Sequence, residues 1–292
     1  MSRKYKLKGH ESFVIRDGWL TKGMKAVASD NRYYKMNSGA DVLGVGTNMA
    51  KSIRYWLKTA RLVTDTAPKG INFTELGKII YKYDPYLEDT FSLWIIHANI
   101  VANYELATSW NLFFNDINVT SAFTRDEMIG MMKDAFINST GEQEPSERSL
   151  RDDCSAILQM YANNETKMTD PEDKNISPFE EFGLIQKNSG KYMKKRPLIE
   201  QIDPLVVLFL IVEKLNNNES IQIDEITDGR DMPGKILNLN RIAVNSFLDD
   251  LQIKEYITVN RTAGLDIVYP NNCKELTKED IVKLHFERNN EA

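Results

Sequence analysis

Cysteine is scarce in this chain of 292 residues, which has only two, Cys154 and Cys273. Two cysteines so far apart offer neither a disulfide framework nor the spacing of metal ligands. We therefore expect a cytoplasmic protein in a reducing environment. With 42% hydrophobic and 27% charged residues, the composition is that of an ordinary globular protein and excludes a disordered chain.

Long apolar runs are also missing. The two most apolar stretches, residues 91–102 and 204–212, are shorter than the roughly 20 residues that a membrane span needs. His97 and Asn99 interrupt the first of them. The N-terminus is basic, but no apolar region follows it, so it does not resemble a signal peptide. The sequence therefore predicts two core helices and no membrane partner.

The residues for common enzymatic chemistry are scattered. His10, His97 and His285 lie far apart, and none has a second metal ligand at helical spacing. The glycines at 44 and 46 lack the third glycine of a dinucleotide-binding loop, and no phosphate-binding P-loop motif occurs. Cys154 follows two aspartates, which raise the pKa of a thiol. We predict a non-catalytic protein without cofactor or metal, in which His97 is a hydrogen-bonded core residue.

Polar stretches divide the chain into three predicted parts. Residues 138–149 contain Gly and Pro and are typical of a linker. They separate an N-terminal domain, 1–140, from a middle segment of helix and loop, 148–200, and a C-terminal domain follows at 201–292. Within the middle segment, residues 163–182 form a predicted exposed acidic loop.

The N-terminal domain has the element order of a winged helix-turn-helix module with a helical extension. A short helix at 39–43 precedes a glycine-containing turn, and Thr47 is the predicted N-cap of a helix over 48–63. A short hairpin follows, and Thr74 caps the next helix. Asp84-Pro85 is a predicted start of a further helix, with Pro at its first position.

The C-terminal domain repeats this order without repeating the residues. A short helix near 223–227 and an amphipathic helix over 241–253 precede a hairpin in which 256–259 pairs with 265–269. The predicted fold class is therefore mainly α with short β-hairpins, in which two winged helix-turn-helix-like modules are joined by a helical middle.

Positive charge is concentrated at the start of the chain. Residues 1–70 carry fourteen Lys and Arg against five Asp and Glu, although the whole chain has a net charge of −5. Such asymmetry is typical of a chain with one end that faces a polyanion. The alternative is a chance cluster of solvated lysines.

The helix predicted over 48–63 concentrates this charge on one side. At about 100° per residue, its four cations fall within about one quarter of the circumference; they are Lys51, Arg54, Lys58 and Arg61. The opposite side is an apolar stripe of Met49, Ile53, Trp56 and Ala60, with Leu57 and Val63 beside it. No acid occurs from Thr47 to Val63, although interspersed glutamates would relieve the repulsion between like charges. Polar groups near the start of the helix suit phosphate or base-edge contacts. The predicted DNA-contacting residues on this helix are Thr47, Asn48, Lys51, Ser52, Arg54, Tyr55, Lys58 and Arg61, and those nearby are Arg16, Lys22, Lys25 and Lys69.

The helix over 241–253 does not share this property, because Asp249 and Asp250 accompany Arg241 and would repel phosphates. Arg261 at the tip of the following hairpin is a lone cation. We interpret this second module as structural or protein-binding.

Several stretches together resemble one known family. They are GHESFVIRDGWLTKG, LGVGTNMAKSIRYWLKTARLV, TELGKIIYKYDPYLEDTFSLWIIHANI, ATSWNLFFND with FTRDEM, and TAGLDIVYP. In this order they are similar to the bacterial domain-of-unknown-function family 4007. The resemblance implies an accessory protein of DNA-modification or phage-defence gene clusters, often beside a sulfurtransferase related to phosphoadenosine-phosphosulfate reductases, as in DNA phosphorothioation. It implies no catalytic residues.

Three functional hypotheses follow. The first is a non-catalytic accessory subunit that binds double-stranded DNA through the basic helix. The second is a scaffold whose basic end contacts an acidic face of a partner enzyme from the same gene cluster. The third is a transcriptional regulator of its own gene cluster, which predicts one promoter site bound by a dimer. The sequence leaves the oligomeric state open.

Overall fold

The computed structural model describes residues 4–66, 69–141, 144–164 and 176–290. Within them the chain is mainly helical with a few short sheets, which confirms the predicted fold class at this level. The helices are α1 (Trp19–Ser29), α2 (Ala40–Leu43), α3 (Thr47–Thr59), α4 (Glu75–Tyr83), α5 (Thr90–Val101), α6 (Thr108–Asn115), α7 (Arg125–Thr140), α8 (Glu147–Tyr161), α9 (Pro204–Asn218), α10 (Ile223–Asp228), α11 (Pro233–Ile236), α12 (Arg241–Ile253) and α13 (Lys278–Asn290). The strands are β1 (Val63–Thr66), β2 (Gly70–Phe73), β3 (Ala162–Asn164), β4 (Ile185–Asn188), β5 (Lys191–Lys194), β6 (Ile221–Gln222), β7 (Ile257–Asn260) and β8 (Ile267–Pro270).

The first unit consists of α1, α2 and α3 followed by the antiparallel hairpin β1–β2. The apolar stripe of α3 faces the core as predicted, since Ile53, Trp56 and Leu57 have no solvent exposure. α1 packs against this stripe at Gly23, where an added Cβ would lie 2.6 Å from the Leu57 side chain. Burial of this stripe leaves the opposite side of α3 at the surface.

The ends of α3 differ from the prediction. Gly46 is the N-cap and Thr47 is already helical, so the side chain of Thr47 does not cap the helix. The helix ends at Thr59 and not at residue 63, because Arg61 adopts a left-handed backbone with φ 58° that turns the chain toward β1.

The helix predicted to start at Asp84-Pro85 begins later. Asp84 is buried, and its carboxylate accepts hydrogen bonds from the backbone N–H groups of Glu88 and Asp89. Asp89 is the N-cap of α5, and its side chain accepts a hydrogen bond from the N–H of Phe91. Asp84 therefore closes the turn before the helix. Thr74 caps α4 as predicted.

The middle of the molecule is built around α5, whose residues 91–101 are all buried. α5 packs against α6 and α9, and α6 packs against α7 and α8. α7 extends to Thr140 before Gly141 ends it in a left-handed conformation, so the first residues of the predicted linker are helical. The predicted acidic loop at 163–182 falls mostly outside the described residues. The domain boundaries near 140 and 200 stay predictions.

A three-stranded sheet that the sequence did not predict follows α8. β3 pairs in parallel with β4, and β4 forms an antiparallel hairpin with β5. Three lysines, Lys187, Lys191 and Lys194, thus lie on a hairpin. Lys194 on this hairpin is half-buried, and its ammonium donates to the carbonyls of Phe113 and Ile117 at the end of α6.

The C-terminal unit follows the predicted order closely. α12 has the predicted bounds, and the hairpin of β7 and β8 lies within about two residues of the predicted strands. β6 joins β8 from the other side to complete a three-stranded sheet. α13 then packs against both α9 and α4, which connects the two ends of the chain.

His285 on α13 lies between two helix N-caps. Its Nδ1 is 2.9 Å from the carboxylate of Asp203, which caps α9, and its Nε2 is 2.8 Å from that of Asp89. Burial alone would lower the pKa of His285, but these two carboxylates outweigh it and raise the pKa. The charged imidazolium therefore holds α5, α9 and α13 together.

Candidate nucleic-acid interface

Lys51 and Lys58 form the exposed side of α3. They are seven residues apart and thus lie close to the same line along the helix. Within the part of the chain that the structure describes, neither side chain has an ion-pair or hydrogen-bond partner. The structure therefore leaves two uncompensated cations on this helix.

Arg54 is not uncompensated. Its guanidinium donates to the carboxylate of Asp65 on β1, with the Nε of Arg54 2.9 Å from Oδ2. It also lies over the ring of Tyr34, 4.0 Å from the centroid. The expectation of a fully unneutralised basic stripe is therefore wrong at this position, because a residue just beyond the helix supplies the missing acid.

Ser52 and Tyr55 face the interior, which contradicts their predicted contacts with DNA. Ser52 is buried, and its hydroxyl donates to the carbonyl of Phe13. Tyr55 is buried as well, and its hydroxyl donates to the carbonyl of Leu106 at 2.6 Å. Burial raises the pKa of Tyr55 far above its ordinary value. Both hydroxyls donate hydrogen bonds to backbone carbonyls in the interior and therefore do not face the surface.

Thr47 and Asn48 are exposed at the start of α3, where the Thr47 hydroxyl donates to the side chain of Asn37. Arg61 has left the helix and is exposed in the turn after it. It lines a cavity of about 420 Å³ together with Asn99 of α5 and Lys278 of α13, among others. Arg61 therefore lies toward the C-terminal unit.

The remaining predicted contacts are dispersed. Lys69 is exposed in the turn of the β1–β2 hairpin, and Lys22 is exposed on α1. Lys25 lies on the side of α1 away from α3, since it is about 200° around that helix from Gly23, and its ammonium is 4.2 Å from the ring centroid of Tyr86. Arg16 is half-buried against Trp19. The structure does not bring Arg16 or Lys25 together with the lysines of α3.

The corresponding helix of the C-terminal unit has its cations paired. Arg241 at the start of α12 bonds the carboxylate of Asp266, and Arg261 in the hairpin bonds that of Asp249 at 2.7 Å. Ile242 and Ile253 are 79% and 78% exposed. They are eleven residues apart and therefore lie within about 20° of each other around the helix. The two arginines of this surface are paired with carboxylates, and the surface is partly apolar.

The buried histidines have hydrogen-bonding roles in the core. His97 is fully buried, its Nε2 donates to the carbonyl of Ile236, and its Nδ1 accepts from the hydroxyl of Tyr161. Burial lowers its pKa to about 4, so the imidazole is neutral at pH 7. This is the core role predicted for His97. Burial also raises the pKa of Cys154 to about 12, in the direction predicted.

The two units share an order of helices and hairpin, and the first exposes two lysines on α3 that have no partner within the described ranges. This chain belongs to the family described as "Protein of unknown function (DUF4007)", whose model matches residues 7–286. The resemblance identified from the sequence is therefore confirmed. None of the curated proteins matches the chain significantly.

Two solved structures share the fold. The "Magnesium ion-bound SspB crystal structure" matches with a TM-score of 0.84, and the "SspB crystal structure" matches with a TM-score of 0.83. Each is 20% identical in sequence and covers 98% of this chain and 89% of its own. None of the described helices is both long and apolar enough to cross a membrane.

Proposed function

We propose that this protein is a non-catalytic, DNA-binding accessory subunit of a bacterial DNA-modification system of the phosphorothioation type, or of a phage-defence system. Its family has no described activity. The role proposed here follows from what the family resemblance implies, and the likeness to SspB shows a shared fold. One SspB structure contains magnesium. Among the described residues of this chain, no group of three or more His, Cys, Asp or Glu side chains could hold a metal ion, and the proposal uses none.

The DNA-binding module is residues 19–73, which we interpret as a winged helix. α3 is the recognition helix of this proposal, and the β1–β2 hairpin is its wing. The Arg54–Asp65 pair connects the two, which fixes the wing beside the helix. In this interpretation Arg54 positions the wing and does not contact phosphate.

The observation that carries the proposal is the pair of exposed lysines on α3, neither of which has a partner among the residues that the structure describes. Lys51 and Lys58 lie about 10.5 Å apart along the helix axis. In the C-terminal unit, by contrast, Arg241 and Arg261 are paired with carboxylates. Phosphates of duplex DNA supply the missing negative charge. Lys69 in the wing and Arg61 after the helix add two exposed cations.

The test is a salt series of binding to a fluorescein-labelled DNA duplex, measured by anisotropy. Four phosphate contacts predict that log K falls with log salt concentration with a slope of about −3.6. The variant K51A/K58A should reduce the magnitude of this slope by about 1.8. A matched control, K254A/K274A, removes the same charge from two exposed lysines of the C-terminal unit and should leave binding unchanged. Absence of binding at low salt contradicts the proposal.

A protein partner is a second candidate, for the C-terminal unit. Exposed apolar residues on one face of a helix are typical of contact surfaces between proteins. Ile242 and Ile253 form such a face between paired charges. Co-expression with the enzymes of its own gene cluster should yield a complex that I242S/I253S loses and K51A/K58A retains. A complex that K51A/K58A loses and I242S/I253S retains supports the scaffold hypothesis, in which the basic end contacts the partner.

A further inference from the structure

The N-terminal arm, residues 4–10, lies between α3 on one side and α6, α7 and α8 on the other. We propose that this arm is part of the DNA-contacting surface and that Lys4 and Lys6 bind phosphates next to those bound by Lys51 and Lys58. This inference rests on the function proposed above and extends it to a segment outside the winged-helix module.

The position of Lys6 is set by Tyr55. The ammonium of Lys6 lies 5.4 Å from the centroid of the Tyr55 ring, within the range of a cation–π contact. Tyr55 is four residues after Lys51 and three before Lys58, so it lies within about 60° of both around α3, at the border between the exposed and the buried side. The arm therefore brings a third ammonium to the edge of the surface that carries Lys51 and Lys58.

The backbone of the arm is fixed close to α3. The backbone N–H of Lys6 donates to the hydroxyl of Thr108 at the start of α6. Gly9 approaches the Tyr55 ring so closely that an added Cβ would lie 2.3 Å from a ring carbon. This approach is the reason for glycine at position 9, since any larger residue would displace the arm from the helix.

The far end of the arm is anchored by the buried carboxylate of Asp153 on α8. It accepts hydrogen bonds from the N–H of Lys8 at 2.9 Å, from Nε2 of His10 at 2.8 Å and from the hydroxyl of Ser109 at 2.6 Å. His10 is itself fully buried and stacks on Trp56 of α3. The arm is thus ordered in the free protein.

The charges of the arm divide into two groups. The ammonium of Lys8 is paired with Asp152 at 2.6 Å. Lys4 and Lys6 are exposed, and within the described ranges neither has an acidic partner. Because the backbone of the arm is already ordered, these two cations contribute phosphate contacts without the cost of ordering a flexible tail.

The experiment compares K4A/K6A, K51A/K58A, the control K254A/K274A and the unaltered full-length protein on one fluorescein-labelled duplex, over 50–300 mM salt. All four proteins are first shown to have the same thermal midpoint. We expect K4A/K6A to weaken binding about tenfold at low salt and to reduce the magnitude of the salt slope by about 1.8. Y55F should bind like the unaltered protein, since it keeps the ring beneath Lys6.

The outcomes separate the two proposals. If K51A/K58A loses affinity and K4A/K6A does not, the arm lies off the DNA and this inference is overturned while the proposed function stands. If neither double variant differs from K254A/K274A, the proposed function fails and the inference fails with it. A loss in both pairs, with an unchanged control, supports the arm as a second contact.

Discussion

Replacing Asp153 with alanine should destabilise the whole protein, because this carboxylate is 1% exposed and accepts three hydrogen bonds. Without it, Nε2 of His10 and the hydroxyl of Ser109 are left as buried donors without an acceptor, each at a cost of about 1–3 kcal/mol. The N–H of Lys8 is only half-buried and regains water. We therefore expect D153A to lower the free energy of unfolding by about 4 kcal/mol, measured by urea denaturation.

The adjacent residue provides the matched control. Asp152 is on the same helix, and its carboxylate makes a half-exposed pair with Lys8. Partly exposed pairs contribute up to about 1 kcal/mol, so D152A should be close to the unaltered protein. D153N keeps one acceptor and should fall between the two. If D153A and D152A differ by less than about 1 kcal/mol, the assignment of Asp153 as the anchor of the arm is refuted.

Four further substitutions test other parts of the structure. D65A releases the wing that the Arg54–Asp65 pair fixes beside α3 and should weaken DNA binding several-fold. Tighter binding, with a salt slope steeper by about 0.9, would show instead that the freed Arg54 contacts phosphate. H285Q should have a lower unfolding free energy than the unaltered protein, and the difference should be largest below pH 6.5, the ordinary pKa of histidine. It should shrink as pH rises through the raised pKa of His285, because the imidazolium then loses its charge. A difference that grows with pH contradicts the role of the imidazolium between Asp89 and Asp203. G77A should lower the thermal midpoint strongly, because its Cβ would lie 1.9 Å from the Leu62 carbonyl oxygen, whereas G130A, with open space at its Cβ, should raise it slightly.

The amphipathic and turn patterns of the sequence were sufficient for the elements whose contacts are local. The helix over 241–253 and the hairpin after it could be predicted because the apolar spacing and the glycine-containing turn are encoded within about 30 residues. The basic and apolar sides of α3 were also correctly separated at Lys51, Ile53 and Lys58.

The errors came from contacts between distant parts of the chain. Ser52 and Tyr55 lie at the border between the two sides of α3, and their burial depends on Phe13 and Leu106, which local periodicity does not bring close. The parallel pairing of β3 with β4 joins segments separated by about 20 residues, for which no turn motif exists. The lysines of the N-terminal arm are apparent in the sequence, but no local pattern predicts that the arm packs beside α3.

The connection made by α13 has a consequence for how the two ends of the molecule act together. This helix packs on α4, next to the basic unit, and on α9, at the start of the C-terminal unit, and His285 joins it to the N-caps of α5 and α9. If the proposed contacts hold, a duplex on α3 and a partner protein on α12 would be kept at a fixed distance and angle. The position of this chain on the DNA would then set the position at which the partner acts.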